Sequence, residues 1–225
     1  MSRTLVWSCP HAPCMLPEYP DFLMDTYKEW ECDHVICLGD LVDNRVLNYH
    51  EKNPDLPGPV DEYREAKKQL AILYKMFPRM DVMVGNHDAL PTRKGRTAGI
   101  PTWFIRNLNE CWGTPGWEWY PRFETLIHDG VMYRHGDKGR RGMIRPALLN
   151  AERNFQSLVQ GHYHALLQVM WQFNENASIF GMQVGCGMDW KRAEMEYALI
   201  YDMKPAIGCG IVLDGTHAFV ERMVR

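Results

Sequence analysis

Asp, Asn and His recur in this chain directly after short apolar runs, and together they offer the side chains of a metal-binding site. Asp40 lies in "LGDLVDN" (38–44), and Asn86, His87 and Asp88 lie in "VGNHD" (84–88). His135 begins "HGD", and His162 and His164 belong to "GHYH" (161–164). The first apolar run ends in "SCPHAP", which supplies Cys9 and His11. Carboxylate, amide oxygen and imidazole suit Mn, Fe or Zn, and a thiolate shifts the preference toward Zn or Fe. Converging on one pocket, these donors are enough for two metals that share a carboxylate. A lone His is more often structural than a ligand, and a Gly-Asp pair after a strand is commonly a turn. Four such fragments in order, each after a strand, are hard to reconcile with that bland reading.

The elements that must position these residues follow from apolar periodicity. Short buried strands are expected at Thr4–Ser8, His34–Leu38 and Met80–Val84. Helical spacing marks Asp21–Glu31 and Val60–Phe77, and residues 49–59, rich in Pro and Gly, read as a loop. The second half reads as hairpins. Glu124–His128 and Val131–His135 flank Asp129–Gly130, Val169–Phe173 and Ser178–Val184 flank an Asn-rich turn, and Gly210–Leu213 and Ala218–Val224 flank Asp214–Gly215. Strands alternating with helices indicate an α/β arrangement, in which ligands bind beyond the carboxyl ends of the strands. That places every candidate residue on one rim.

With 225 residues, 46% of them hydrophobic and 24% charged, the chain suits one domain, residues 1–225, with a sizeable core. A net charge of −3 excludes a general nucleic-acid or membrane-surface binder and leaves only local basic contacts. Seven cysteines outside any CxxC framework indicate a reducing, cytoplasmic compartment. Cys32, Cys37, Cys186 and Cys209 sit among apolar residues and are expected in the core. No signal peptide and no membrane span is expected.

The order "CPH", "GD", "GNHD", "HG" and "GHYH" resembles the calcineurin-like metallophosphoesterase superfamily, whose first motif is Asp-x-His. The resemblance spans Cys9 to His164, and the compact chain also resembles small phosphoesterases encoded by phages. It implies a β-sandwich of two mixed sheets flanked by helices, and hydrolysis of a phosphoester by two divalent ions. The resemblance implies that His11, Asp40 and His164 hold the first ion, with Cys9 in place of the family's Asp. Asp40, Asn86, His135 and His162 would hold the second, so that Asp40 bridges. His87 would face the leaving-group oxygen, and Asp88 would orient it. Paired metals clamp attacking and leaving oxygens, and bound metal lowers the pKa of water from about 15.7 to about 7. At Cys9 two readings stay open: a thiolate that keeps the carboxylate's charge, or a protonated thiol that leaves the first ion poorly held.

The substrate is less well marked. "GDLVDNR" departs from the protein-phosphatase signature, because Arg45 falls one residue late and no Gly follows it. "GNHD" is the form commoner in phosphodiesterases and nucleases of the superfamily. Arg93, Lys94 and Arg96 lie in "PTRKGRTAGIP" (91–101), which is either a solvated loop or part of the site. Lys138, Arg140 and Arg141 follow "HGD", and these cations could bind a phosphate of the substrate. Of Trp103, Trp112, Trp117 and Trp119, most are expected in the core, and one exposed ring would let a base stack. The expected activity is hydrolysis of a nucleotide or nucleic-acid phosphodiester. The alternatives are a protein phosphatase and, because Cys9 departs from consensus, a binding scaffold.

Overall fold

The computed structural model describes residues 2–139, 144–198 and 202–224. β1 (Arg3–Trp7), β2 (His34–Cys37), β3 (Met80–Met83) and β4 (Trp117–Tyr120) run parallel in one sheet. Antiparallel β10 (Gly208–Leu213) and β11 (His217–Arg222) extend it beyond β1, giving the order β11-β10-β1-β2-β3-β4. The second sheet has the order β5-β6-β7-β9-β8, from β5 (Leu126–His128), β6 (Val131–Arg134), β7 (Leu158–Gln160), β8 (Leu167–Phe173) and β9 (Ser178–Val184). In it β6, β7 and β9 are parallel, and the two edge strands are antiparallel. Both sheets are mixed, as expected.

The central strands β1, β2 and β10 are buried along almost their whole length because both faces of the sheet are covered there. Val6, Ile36, Leu38 and Met83 meet Tyr133, Val159, Phe180 and Met182 of the second sheet in a buried layer. On the other face Leu5, Trp7, Val35 and Val82 pack with Leu23 of α1 (Tyr19–Glu29) and Leu70 and Leu73 of α2 (Pro59–Met76). α5 (Pro146–Asn154) covers the second sheet through Ala147 and Ala151. The layers are helix, sheet, sheet, helix.

Two expectations change in detail. Residues 91–101 are not simply a loop: α3 (Leu90–Thr97) carries Arg93, Lys94 and Arg96. Pro91 is tolerated in the first turn, and Gly95 is buried where a Cβ would meet Ile105 at 2.7 Å. The last hairpin pairs Leu213 with His217, so its loop has Thr216 as well as Asp214 and Gly215. α4 (Leu108–Trp112) and β4 were not foreseen. The Asp129–Gly130 turn has φ of 47° and 73°, the left-handed pair a tight hairpin needs. Cys32, Cys37, Cys186 and Cys209 are buried, as composition suggested.

Candidate metal centre

The carboxyl ends of β1, β2 and β3 meet those of β6 and β7 at one rim of the sandwich. Cys9 and His11 follow β1, Asp40 follows β2, Asn86 and His87 follow β3, His135 follows β6, and His162 and His164 follow β7. One ligand atom each from Cys9, His11, Asp40 and His164 lies within 4.8 Å of the others, and so do those of Asp40, His135 and His162. Asp40 is common to both groups. Asn86 joins the second, its Oδ1 2.9 Å from His135 Nε2.

The backbone is strained where these side chains depart. Cys9, His11, Asp40 and His162 have φ of 53°, 49°, 51° and 68°. Such left-handed residues cost roughly 1–3 kcal/mol each and persist where the surroundings impose them. Here a run of backbone bonds imposes them. The Cys9 N–H donates to the Gly39 carbonyl at 2.9 Å, and that of His11 to the Asp40 carbonyl at 3.1 Å. Gly85 leaves room for the Asp40 carboxylate, since a Cβ there would lie 2.2 Å from Asp40 Oδ1. His162 and His164 reach neighbouring groups from a turn. Tyr163 N–H donates to the Gly161 carbonyl at 2.8 Å, and this turn, not strand alternation, aims them.

Hydrogen bonds also decide which ring atoms face the centre. His135 Nδ1 donates to the Leu38 carbonyl at 2.7 Å, so its Nε2 lone pair faces Asn86 Oδ1 and Asp40 Oδ2, the latter at 3.2 Å. His11 Nδ1 donates to Asp43 Oδ1 at 2.9 Å, which turns its Nε2 toward His164 Nε2 at 3.1 Å. Lone pairs gathered this way repel one another unless a proton or a cation sits among them. Burial works against a charged His135, yet Asp40 raises its pKa. Burial and His135 lower His162 to about 4, and burial and His11 hold His164 well below the usual range, so both imidazoles are neutral at neutral pH. The donor set fits divalent cations at both groups.

His87 stands beside these groups, its ring 4.6 Å from that of His11. Its Nδ1 donates to the Asp43 carbonyl at 2.7 Å and lies 3.1 Å from Asp43 Oδ1, so the ring presents Nε2 at its other end. Burial opposes its charge, but Asp40 and Asp43 outweigh burial and raise its pKa to about 10. Asp88 does not orient His87. Its carboxylate accepts from the N–H groups of Asp40, Val42 and Gly85 at 2.7, 3.2 and 2.9 Å, and so clamps the loop after β2 to that after β3. Asp43 is the orienting carboxylate for both His11 and His87. Sequence reading passed over it, although it stands three residues after Asp40 in the same motif.

The basic residues divide. Arg45 is buried, and its Nη2 donates to the Pro57 carbonyl at 2.6 Å, which ties it to the loop before α2. Arg93 and Lys94 lie over the Tyr49 ring, 5.1 and 3.7 Å from its centroid. Arg96 is exposed on α3, and Lys138 donates to the Phe123 carbonyl. Arg140 and Arg141 lie outside the described residues. Trp112 and Trp117 are buried and Trp119 packs against the same core, whereas Trp103 is 76% exposed and stacks on Phe104.

Cys9 is fully buried, and burial and the Asp40 carboxylate push its thiol well above the usual range. A cation reverses that balance, since a coordinating thiol is deprotonated outright. If Cys9 ligates, cobalt(II)-loaded protein should show a thiolate charge-transfer band that Cys9→Asp abolishes. Cys9→Asp should also move metal preference toward Mn, and Cys9→Ala should weaken the first ion more than the second. A Cys9→Ala variant with both ions and full activity would make Cys9 a bystander.

No model of a known protein family and no curated protein matches the chain. Among solved structures, it is similar to vacuolar protein sorting 29 from Cryptosporidium parvum, at 12% identity over 100% of this chain and 98% of that one, TM-score 0.49. It is also similar to YfcE, a phosphoesterase from E. coli, at 14% identity over 93% and 87% of the two chains, TM-score 0.42. The nuclease MPE of Pseudomonas putida is similar at 14% identity over 94% and 84%, TM-score 0.40. At these values the likenesses carry no argument about activity.

Proposed function

We propose that the chain is a metal-dependent phosphodiesterase that hydrolyses a nucleotide or nucleic-acid phosphodiester. The observation that supports it most is the pair of ligand groups sharing Asp40, with His87 held beside them by Asp43. Cys9, His11, Asp40 and His164 would hold one divalent ion, Mn, Fe or Zn, and Asp40, Asn86, His135 and His162 the other. Such ions, when bound, make water acidic enough to attack and neutralise charge on the phosphoryl oxygens. His87 Nε2 gives its proton to the departing alkoxide, and Asp43 keeps the ring aimed and cationic until then. Asp88 holds the Asp40 peptide in place throughout. The protein-phosphatase alternative loses support from Arg45, whose guanidinium is engaged at Pro57.

Purified protein should contain metal at two equivalents and should hydrolyse bis(p-nitrophenyl) phosphate faster than p-nitrophenyl phosphate in the presence of Mn, Fe or Zn. A faster monoester would favour the phosphatase reading. Bound metal without turnover of either ester would favour a binding scaffold.

A further inference from the structure

Beside the metal centre, on the side of β7, opens a pocket of about 490 Å³ that His162 and His164 themselves line. Anything attached to a phosphate at those imidazoles has this pocket as its nearest enclosure. Its volume is within the range of small-molecule sites, roughly 300–1,000 Å³, and far exceeds what a methyl or ethyl arm would fill. The walls are apolar and in part flat: the Tyr163 ring, Pro205, and the thioethers of Met188 and Met203. Aromatic rings and polarisable sulfur favour a planar π-system over a flexible aliphatic chain. The polar groups at its edge are His50 and the Asp202 carboxylate, which can only accept hydrogen bonds when ionised.

No Lys or Arg lines this pocket among the described residues. The neighbouring Lys204 lies over the Trp190 ring, 5.4 Å from its centroid. Among these described residues a further phosphate of a polynucleotide would meet the Asp202 carboxylate and no cation. Arg93 and Lys94 of α3 lie over the ring of Tyr49, the chain neighbour of the pocket-lining His50. One ester arm of the substrate thus meets an apolar pocket with the Asp202 carboxylate at hand.

We infer that this pocket binds a single nucleobase with N–H donors, so that the substrate is a small nucleotide diester or the end of a strand, not its interior. The inference rests on the phosphodiesterase reading for its substrate class, and it is tested separately from it. Thymidine 5′-(p-nitrophenyl phosphate) and methyl p-nitrophenyl phosphate share a leaving group and differ in the nucleoside. Stacking worth about 1–3 kcal/mol per base corresponds to roughly 5- to 150-fold. The nucleoside ester should accordingly show a KM at least about fivefold lower, with kcat similar. Met203 is 49% exposed, so Met203→Glu folds; it should raise that KM to the level of the methyl ester and leave the methyl ester unchanged. Thymidine alone, titrated into metal-free protein and followed by saturation-transfer NMR, should bind the wild type and not Met203→Glu. Equal KM values for the two esters would overturn the inference, as would an equal effect of Met203→Glu on both. Cleavage within a single-stranded oligonucleotide as fast as at its ends would also overturn it. If neither ester is hydrolysed with any metal, the phosphodiesterase reading fails, and the thymidine titration alone then upholds or overturns the pocket.

Discussion

Asp40→Ala is expected to release both metal ions and to abolish hydrolysis of every phosphoester. Asp40 is the one residue common to both ligand groups, so its loss leaves each with neutral donors and at most one thiolate. Attraction from His135, His87 and His11 outweighs burial and holds the Asp40 carboxyl well below the usual carboxylate range, so the variant should also lose some stability in the absence of metal. Thermal denaturation separates the two effects. Ion binding stabilises the native state by RT ln(1 + [L]/Kd), about 2.7 kcal/mol at a hundredfold excess over Kd. The wild-type Tm should therefore rise with added Mn or Zn, and the Asp40→Ala Tm should not. Substantial turnover in the variant would end the shared-carboxylate account.

His87→Ala should lower turnover by roughly 10²–10⁴, the usual worth of a positioned acid, with both ions retained. The loss should be largest for an alkyl ester and should shrink for a nitrophenyl ester, whose leaving group needs no proton. Asp43→Asn tests both roles of Asp43 at once. It bonds His11 Nδ1 as well as approaching His87, so it should lower affinity for the first ion and weaken leaving-group catalysis together. An equal loss in His87→Ala on good and poor leaving groups would assign His87 to phosphate binding instead.

The candidate ligands were legible as a group because each follows a short apolar strand, and parallel strands carry their carboxyl ends to one rim. The β2 and β3 motifs needed nothing more than that. What was not legible is how the loops aim these side chains. The left-handed backbones at Cys9, His11, Asp40 and His162 come from hydrogen bonds between loops far apart in sequence, such as Cys9 to Gly39. Periodicity carries no trace of such contacts. Asp43 and Asp88 illustrate the same limit: both flank a ligand in sequence, and only the packing of two loops decides that Asp43 holds the rings while Asp88 holds peptides. α3 was obscured by Pro91, Gly95 and its charges, whose propensities favour a loop until Gly95 packs against Ile105. The pocket on the far side of His162 and His164 draws Tyr163, Met188 and Met203 from separate segments, and no local pattern joins them.

The claim on which the rest depends is that two cations share Asp40. Metal-free protein titrated with Mn(II) and followed by electron paramagnetic resonance tests it most directly. The account predicts that the signal of the first equivalent gives way, as the second binds, to an exchange-coupled dinuclear spectrum that is absent from Asp40→Ala. Saturation at one equivalent, or two equivalents with additive uncoupled signals, would contradict it.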